Sequence, residues 1–431
     1  MKGGRKVYNL TYIHHRSFGW AYALLCVVLL LAAFQSSAQN GIVNFSAKKY
    51  AFIHPERNEI VNDKGLESFF ERLYRQKTQN NTRVSVLHIG DSHIQADYLS
   101  AQVRTNFQKD FGNGGRGIVV PLRVAGSNEP FNYKITSNYA CNSKRCIYVN
   151  DPMPIGIGGV TIKTDSPDIK FFLRAFDYAP LNYSFNKLTL FYQKDSTSFD
   201  FRVTDTLGNT LGILSSTSKE KYSNISSTAL PANTNAVIIS AERSDTTQRQ
   251  ATIFGINLEN DSSGVVYHTV GANGAEAFQY VRAKYFAEQT QVLEPDLIII
   301  SLGTNEAQRR PLDKGLMTRR LDSLVSALHR YNPNAAIVFT TPPDSYYHRK
   351  YYNSSVSQMH EVIVNYAKAE NLAVWDLFSI SGGYKSCYMW KKYHMMQRDG
   401  LHFTRGGYEF QGNLLYEALI KSYNKYVASR P

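Results

Sequence analysis

The stretch VSVLHIGDSHIQADYL, residues 84–99, determines how the fold is interpreted. It opens with an apolar run at residues 84–89 that has the length and composition of one buried strand. The run breaks at Gly90-Asp91-Ser92 and continues as a helix-compatible segment. Ligands of open α/β sheets bind at the carboxyl ends of strands, and helix N-termini favour developing negative charge. Ser92 therefore stands where a nucleophile can work, although the tripeptide alone indicates only a turn.

The rest of the α/β pattern returns in the last part of the chain, where apolar runs alternate with amphipathic segments. The runs occupy residues 265–270, 297–302, 335–341 and 372–376. Helices are predicted over residues 64–76, 94–110, 276–290, 313–331, 354–370 and 404–426. This alternation predicts an α/β domain with a parallel sheet.

Between residues 124 and 264 the helical periodicity disappears and short alternating segments take over. The segments are GGVTIKT, DIKFFLRAF, KLTLFYQ, SFDFRVTD, AVIISAE and ATIFGINLE, and turn signals separate them. Several short strands at this spacing predict an antiparallel β-sandwich of one domain's size. Because the α/β pattern resumes afterwards, the sandwich is inserted into the α/β domain and not appended to it.

The first 38 residues have the pattern of a secretory signal peptide. Four cations and no acid precede an apolar run at residues 18–34, and Ser36-Ser37-Ala38 supplies small residues for cleavage before Gln39. An uncleaved membrane anchor is the alternative, since the run is near the shortest length that spans a bilayer. We therefore expect a periplasmic or secreted protein with no stable membrane span after cleavage.

The charge, a glycine motif and the cysteines limit which partners, cofactors and disulfides the sequence predicts. The net charge of +13 falls to +9 without the four leader cations, which is compatible with an anionic polymer but includes no Lys/Arg-rich run for nucleic acid. The G-x-G-x-x-G at residues 112–117 follows a predicted helix and leads into an extended run, so it indicates a turn and not a dinucleotide site. We expect no metal and no cofactor. Cys141 and Cys146 could close a small disulfide loop, which leaves Cys387 unpaired.

Small polar clusters end three of the apolar strands, and the carboxyl ends of parallel strands meet at one edge of a sheet. The clusters are Gly90-Asp91-Ser92, Gly271-Ala272-Asn273-Gly274 and Gly303-Thr304-Asn305, and Asp399-x-x-His402 follows near the C-terminus. Acyl transfer needs a nucleophile, a base, a group that orients the base, and donors for the oxyanion. Ser92, His402 and Asp399 suit the first three roles. The N–H groups of Ser92 and Gly274 and the Asn305 amide are candidate donors.

Together these four blocks resemble the SGNH/GDSL-type hydrolases. By motif, the resemblance implies that Ser92 is the nucleophile, that Gly274 and Asn305 are oxyanion donors, and that Asp399 and His402 complete the triad. It also implies a flavodoxin-like three-layer α/β/α domain with a parallel sheet, interrupted by the antiparallel β-sandwich.

Two further residues are candidates for lining the site. Gly271 is the earlier glycine of the second block and ranks below Gly274 because of its spacing. His93 stands where the name-giving pattern of the family has leucine, and it either lines the site or caps the helix start.

A narrower resemblance covers about residues 64–426. The segments HIGDSHIQADYL, FGNGGRG, VVYHTVGANGAEA, SLGTNEA and DGLHFT are similar to the peptidoglycan O-acetylesterase branch. Members of that branch carry a carbohydrate-binding-module-like β-domain between the first two blocks. The resemblance implies removal of acetyl from the C6 hydroxyl of N-acetylmuramic acid, with acetylated peptidoglycan as the favoured partner. The predicted divisions are a signal peptide at 1–38, hydrolase parts at 39–123 and 265–431, and the β-insert at 124–264.

Several alternatives stay open at this point. An O-acetyltransferase would use the same triad, because only the acceptor of the acyl group differs. A hydrolase of acetylated xylan or capsule would share the mechanism. A glycan-binding protein whose β-domain does the work would need a broken triad. A glycosidase using Asp399 and Glu306 is weaker still, since nothing in the sequence sets their separation.

Overall fold

The computed structural model describes residues 49–148 and 153–430, all within one compact unit, residues 47–431. The predicted signal peptide lies outside the described residues. The elements that precede the antiparallel region are β1 (Ile60–Val61), α1 (Glu67–Gln79), β2 (Arg83–Gly90), α2 (Ser92–Gln95) and α3 (Tyr98–Phe111). Strand β2 covers the predicted apolar run, and α1 buries Phe69, Phe70 and Leu73 as its periodicity predicts.

The described part of the antiparallel region contains eleven strands. They are β3 (Gly117–Val119), β4 (Tyr133–Ser137), β5 (Asn142–Arg145), β6 (Val160–Thr164), β7 (Lys170–Ala175), β8 (Phe185–Tyr192), β9 (Asp200–Thr204), β10 (Thr210–Leu214), β11 (Ile225–Thr234), β12 (Ala236–Glu242) and β13 (Ala251–Glu259). One sheet has the order β10-β9-β12-β7-β4, and the other has the order β11-β8-β13-β6-β5 with β3 paired to β13. Their inner faces share one apolar core, as a β-sandwich requires.

The rest of the chain returns to alternating strands and helices. These are β14 (Gly264–Gly271), α4 (Ala277–Arg282), α5 (Phe286–Thr290), β15 (Leu297–Ser301), α6 (Lys314–Tyr331), β16 (Ala336–Thr340), β17 (Tyr346–Tyr347), β18 (Tyr351–Tyr352), α7 (Ser354–Ala369), β19 (Ala373–Trp375), α8 (Leu377–Ile380), α9 (Cys387–Lys392) and α10 (Arg405–Ala428). Short 3-10 helices lie at Pro55–Arg57, Asp63–Leu66, Gln291–Leu293 and Glu306–Gln308. In the described residues, no helix combines the length and apolarity that crossing a membrane requires.

The central sheet has the order β1-β19-β16-β15-β2-β14, and only β1 runs antiparallel to its neighbour. Helices α1, α3 and α10 pack on one face, while α4, α5, α6 and α7 pack together on the other. The predicted three-layer α/β/α class with a parallel sheet and inserted antiparallel strands is therefore confirmed. Gly90 pairs with both Gly271 and Ser301. The three predicted polar clusters that follow β2, β14 and β15 therefore begin side by side at the carboxyl edge of the sheet.

The sandwich packs against the α/β layers through the outer face of its six-stranded sheet. Phe254 and Ile118 of that sheet belong to the same apolar cluster as Val270 and Tyr280. Every residue of β13 is buried because the strand is covered on both faces. Even Thr252, Asn257 and Glu259, the polar residues of this alternating segment, are therefore buried. The domain limits at residues 38, 123 and 264 remain predictions.

Two predicted helices are interrupted, for different reasons. The helix over residues 94–110 breaks at Asp97, whose φ of 55° is left-handed. The helix over residues 276–290 breaks between α4 and α5, where the Tyr285 N–H donates 2.9 Å to Ile155 O instead of continuing the helix.

The structure has all three described cysteines as free thiols. Cys141 packs against the core between the two antiparallel sheets, whereas Cys146 is buried in the cluster that the sandwich shares with the α/β layers. The structure therefore does not contain the disulfide that the spacing of Cys141 and Cys146 would allow, because the two side chains lie in different apolar clusters.

Candidate active site

The turn after β2 places Ser92 at the first position of α2. A Cβ on Gly90 would lie 2.3 Å from Ile94 Cγ1, so only glycine lets the chain turn this tightly. The carboxylate of Asp91 caps the new helix by accepting the His93 N–H at 2.9 Å. Ser92 thus remains half-buried, with its hydroxyl at the edge of the sheet.

The structure brings Ser92, His402 and Asp399 into one hydrogen-bonded chain. His402 Nε2 lies 2.9 Å from Ser92 Oγ, and His402 Nδ1 lies 2.7 Å from Asp399 Oδ2. An ionised Asp399 only accepts hydrogen bonds, so the proton of a neutral His402 is on Nδ1. This leaves Nε2 to accept the Ser92 hydroxyl proton.

Asp399 is held by its own loop as well as by His402. Its Oδ1 accepts the N–H groups of Leu401 and His402, both at 3.0 Å. Partial burial opposes ionisation, but the hydrogen bonds from the His402 ring and these two N–H groups outweigh it. Together they hold the pKa of Asp399 below its usual value. The carboxylate is therefore ionised at neutral pH and can stabilise a protonated imidazole.

The three candidate oxyanion donors differ in whether they already donate a hydrogen bond within the protein. The described residues offer no hydrogen-bond acceptor to the N–H of Ser92 or of Gly274. Gly274 has a φ of 84°, a left-handed conformation that favours glycine. In contrast, Asn305 Nδ2 donates to Asp91 Oδ2 at 3.1 Å and to Ala275 O at 3.0 Å. Two backbone donors are therefore available, while the Asn305 amide is already engaged.

His93 lies behind His402. Its ring centroid is 5.3 Å from that of His402, and its Nδ1 lies 2.9 Å from the Tyr408 hydroxyl. Burial, reinforced by the charge of His402, lowers the pKa of His93 to about 3, so the ring is neutral. Its backbone N–H, not its side chain, takes part in the cap of α2.

Gly271 is a spacer beneath α2. A Cβ at this position would lie 2.3 Å from Gln95 N and 2.7 Å from Asp91 O. Glycine is therefore required for the close approach of β14 to the turn that carries Ser92.

Sequence reasoning missed Gln95, which links the Gly274 loop to the antiparallel region. Its Oε1 accepts the Asn273 N–H at 2.8 Å, and its Nε2 donates to Ser127 Oγ at 3.0 Å and to Asn128 O at 2.8 Å. Its place one turn after Ser92 was a usable signal. The sequence contains no such signal for Tyr408, because its contact with His93 exists only after α10 packs against the edge of the central sheet.

Comparison with known proteins gives two useful findings. The model of the GDSL-like lipase/acylhydrolase family matches residues 234–410. That region contains the Gly274, Asn305 and His402 blocks but not the Ser92 block, which the inserted strands separate from the rest. A solved structure described as a peptidoglycan O-acetylesterase in action shares the fold, with a TM-score of 0.69 at 21% identity over 83% of this chain and 96% of that chain.

More distant overlaps are partial. A GDSL-like lipase from Bacteroides thetaiotaomicron has a TM-score of 0.29 and 18% identity, and covers 36% of this chain and 76% of its own. A carbohydrate esterase family 3 structure from Talaromyces cellulolyticus has a TM-score of 0.30 and 17% identity, and covers 37% of this chain and 72% of its own. No curated protein matches the chain.

Proposed function

We propose that this chain, an SGNH/GDSL-type hydrolase and therefore a carboxylic ester hydrolase, removes O-acetyl groups from a polysaccharide. The favoured substrate is peptidoglycan acetylated on N-acetylmuramic acid. The proposal rests above all on the hydrogen-bonded chain from Ser92 Oγ through His402 to Asp399, with distances of 2.9 and 2.7 Å.

The reaction follows from the donors and acceptors of this chain. Ser92 Oγ attacks the acetyl carbonyl carbon while His402 Nε2 takes the hydroxyl proton. Asp399 stabilises the imidazolium, which then gives its proton to the departing sugar oxygen. Acetyl-Ser92 remains, and a water attacks it with His402 again as base, which releases acetate and restores Ser92.

The oxyanion that forms at each attack needs preorganised donors. The free N–H groups of Ser92 and Gly274 support a role as the first two donors. Asn305 contributes the third when its amide exchanges Asp91 Oδ2 for the oxyanion.

Two other observations support the proposed substrate and the proposed compartment. A peptidoglycan O-acetylesterase has this fold over most of the chain. The inserted antiparallel strands of the present chain would place a second surface beside the catalytic edge. The leader pattern of the first 38 residues supports a periplasmic or secreted enzyme that meets cell-wall polymer.

Ser92→Ala tests the mechanism, because removing the nucleophile removes the acyl-enzyme. Release of p-nitrophenol from p-nitrophenyl acetate should drop by about 10⁴-fold or more. Ser326→Ala, which alters an exposed serine of α6, is the matched control. Turnover near that of the unaltered enzyme in the Ser92 variant would refute the proposal.

Substrate identity is tested by acetate release from O-acetylated peptidoglycan compared with acetylated xylan. Peptidoglycan should be deacetylated faster at equal acetyl content. Measuring acetate together with any newly acetylated glycan separates hydrolysis from acetyl transfer, since transfer yields acetylated product without free acetate.

A further inference from the structure

Two segments that flank the catalytic edge are rich in tyrosine and positive charge. Residues 345–353 and 384–398 together contain seven tyrosines, six lysines or arginines, and no aspartate or glutamate. The first segment forms the hairpin of β17 and β18, and the second contains α9. None of their six cations forms an ion pair with another residue of the described ranges. This leaves a local excess of positive charge.

The fold brings part of both segments into one exposed surface, the tyrosine–lysine face, which consists of Lys350, Tyr351, Tyr352, Tyr384 and Lys385. The three tyrosines are 57%, 38% and 45% exposed. Tyr352 and Tyr384 meet with ring centroids 6.3 Å apart, and Lys385 Nζ lies 5.5 Å from the centroid of each ring. Lys350 Nζ lies 5.4 Å from the Tyr351 ring.

Tyr346 joins this face to the loop that carries Asp399 and His402. Tyr352 stacks on Tyr346 with centroids 5.5 Å apart. The Tyr346 N–H donates to Gly400 O at 2.8 Å, and Gly400 lies between Asp399 and His402. A Cβ on Gly400 would lie 2.5 Å from Tyr346 Cδ2, so the ring rests on the backbone of this loop. Tyr346 is therefore the one ring that separates the face from the loop of Asp399 and His402 along this path.

The same hairpin also contacts the Asn305 side of the site. Gln308 Nε2 donates to Tyr346 O at 3.3 Å, and Gln308 ends the 3-10 helix that follows Asn305. Tyr346, on which Tyr352 of the tyrosine–lysine face stacks, thus contacts both the loop of Asp399 and His402 and the segment after Asn305.

We propose that the tyrosine–lysine face binds the polysaccharide strand next to its acetylated residue and selects an acidic, carboxylate-bearing glycan. This inference rests on the proposed esterase function and deepens it. Flat tyrosine rings suit the apolar faces of sugar rings, and exposed aromatic patches mark binding surfaces. Lysines that have no carboxylate partner among residues 49–148 and 153–430 supply complementary charge for carboxylates on the strand. A neutral polysaccharide would make no use of those lysines.

Binding is measured in the full chain with Ser92→Ala, so that no turnover occurs. The probes are soluble O-acetylated peptidoglycan strands with their stem peptides, and the same strands after amidation of their carboxyls. Native strands should bind more tightly than amidated ones, and added salt should reduce the difference because exposed charge pairs are screened.

The charge-removing variant is Lys350→Gln with Lys385→Gln, in the same Ser92→Ala background. It should weaken binding of native strands about fivefold and leave binding of amidated strands within about twofold, since each exposed ion pair contributes modestly. Lys109→Gln with Lys368→Gln is the matched control. Both of these lysines are exposed, near the ends of α3 and α7, and the control should leave both affinities unchanged.

Tyr351→Ser with Tyr384→Ser tests the contribution of the tyrosine rings. This variant should weaken the binding of native and amidated strands equally. Equal affinity of the unaltered face for native and amidated strands would overturn the proposal. So would an unchanged affinity of the lysine variant, or tighter binding to phosphatidylglycerol vesicles than to the strands. Acetate release by the enzyme with Ser92 intact is measured separately, so failure of this inference is distinguishable from failure of the esterase function.

Discussion

At the scale of single residues, Asp91 and Asn305 hold each other at the catalytic edge. Burial raises the pKa of Asp91 to about 7, and its carboxyl accepts from Asn305 Nδ2 at 3.1 Å. Since the other N–H of that amide is bonded to Ala275 O, the proposed mechanism requires the oxyanion to displace Asp91 from Asn305. The two hydrogen bonds fix the orientation of the amide in the structure.

Asn305→Ala should lower kcat for p-nitrophenyl acetate by about 10²–10³, as removal of one oxyanion donor does. Asn365→Ala, on the exposed side of α7, is the matched control and should leave kcat unchanged. A loss of less than about threefold would exclude Asn305 as a donor.

Glu306 is a second buried carboxyl beside this pair. Burial raises its pKa to about 7, while Oε1 accepts the Ala277 N–H at 2.8 Å. A carboxyl whose pKa is higher in the folded protein than in the unfolded chain increases the free energy of unfolding at low pH. This contribution to the free energy of unfolding is lost as pH rises from about 4 through 7.

Glu306→Gln removes this titration. Between pH 5 and 8 the free energy of unfolding of the unaltered protein should therefore fall by about 2 kcal/mol relative to the variant, as urea unfolding at each pH would measure. Glu370→Gln, at the exposed end of α7, should show no such trend. A constant difference between Glu306→Gln and the unaltered protein at all pH values would contradict the assignment.

At the scale of elements, the break between α2 and α3 has an electrostatic cause. The fully buried carboxylate of Asp97 accepts from Arg104 at 2.9 and 3.1 Å, from Arg116 at 2.8 Å and from Asn132 at 2.6 Å. Arg104 belongs to α3 and Asn132 to the antiparallel region. Asp97 leaves the helical conformation to reach both, which periodicity alone does not reveal.

Asp97→Asn should lower the free energy of unfolding by about 3–5 kcal/mol, because two buried guanidinium groups lose their counter-charge. Asp63→Asn is the control, since its carboxylate is partly exposed and lies 4.0 Å from Lys425 Nζ. Its effect should be below about 1 kcal/mol. Equal effects of the two variants, measured by urea unfolding, would refute the role of Asp97.

At the scale of the whole molecule, the sandwich and the α/β layers share one apolar cluster and should unfold together. Trp375 and Trp390, the tryptophans of the described residues, lie in β19 and α9 and report on the α/β part. The antiparallel strands contribute strongly to far-ultraviolet circular dichroism. Denaturation curves from tryptophan fluorescence and circular dichroism should coincide with a single midpoint. Two separated transitions would show that the sandwich is an independent unit.

Much of this molecule could be predicted from residue patterns. The apolar runs at residues 84–89, 297–302 and 335–341 became central strands, because a strand covered on both faces needs apolar side chains throughout. Ser92, Asp399 and His402 were named from their blocks, and the structure brings them within hydrogen-bonding distance. The roles of these residues remain predictions for the experiments above.

The sequence by itself determined the fold class and the candidate triad, since both depend on local patterns of polarity and turn residues. Only the tertiary structure decided the state of the Asn305 amide, the position of His93 behind His402, and the break at Asp97. It also joined residues 345–353 to residues 384–398 as one tyrosine–lysine face. Each of these depends on groups that are far apart in the chain and meet only after the strands and helices have packed.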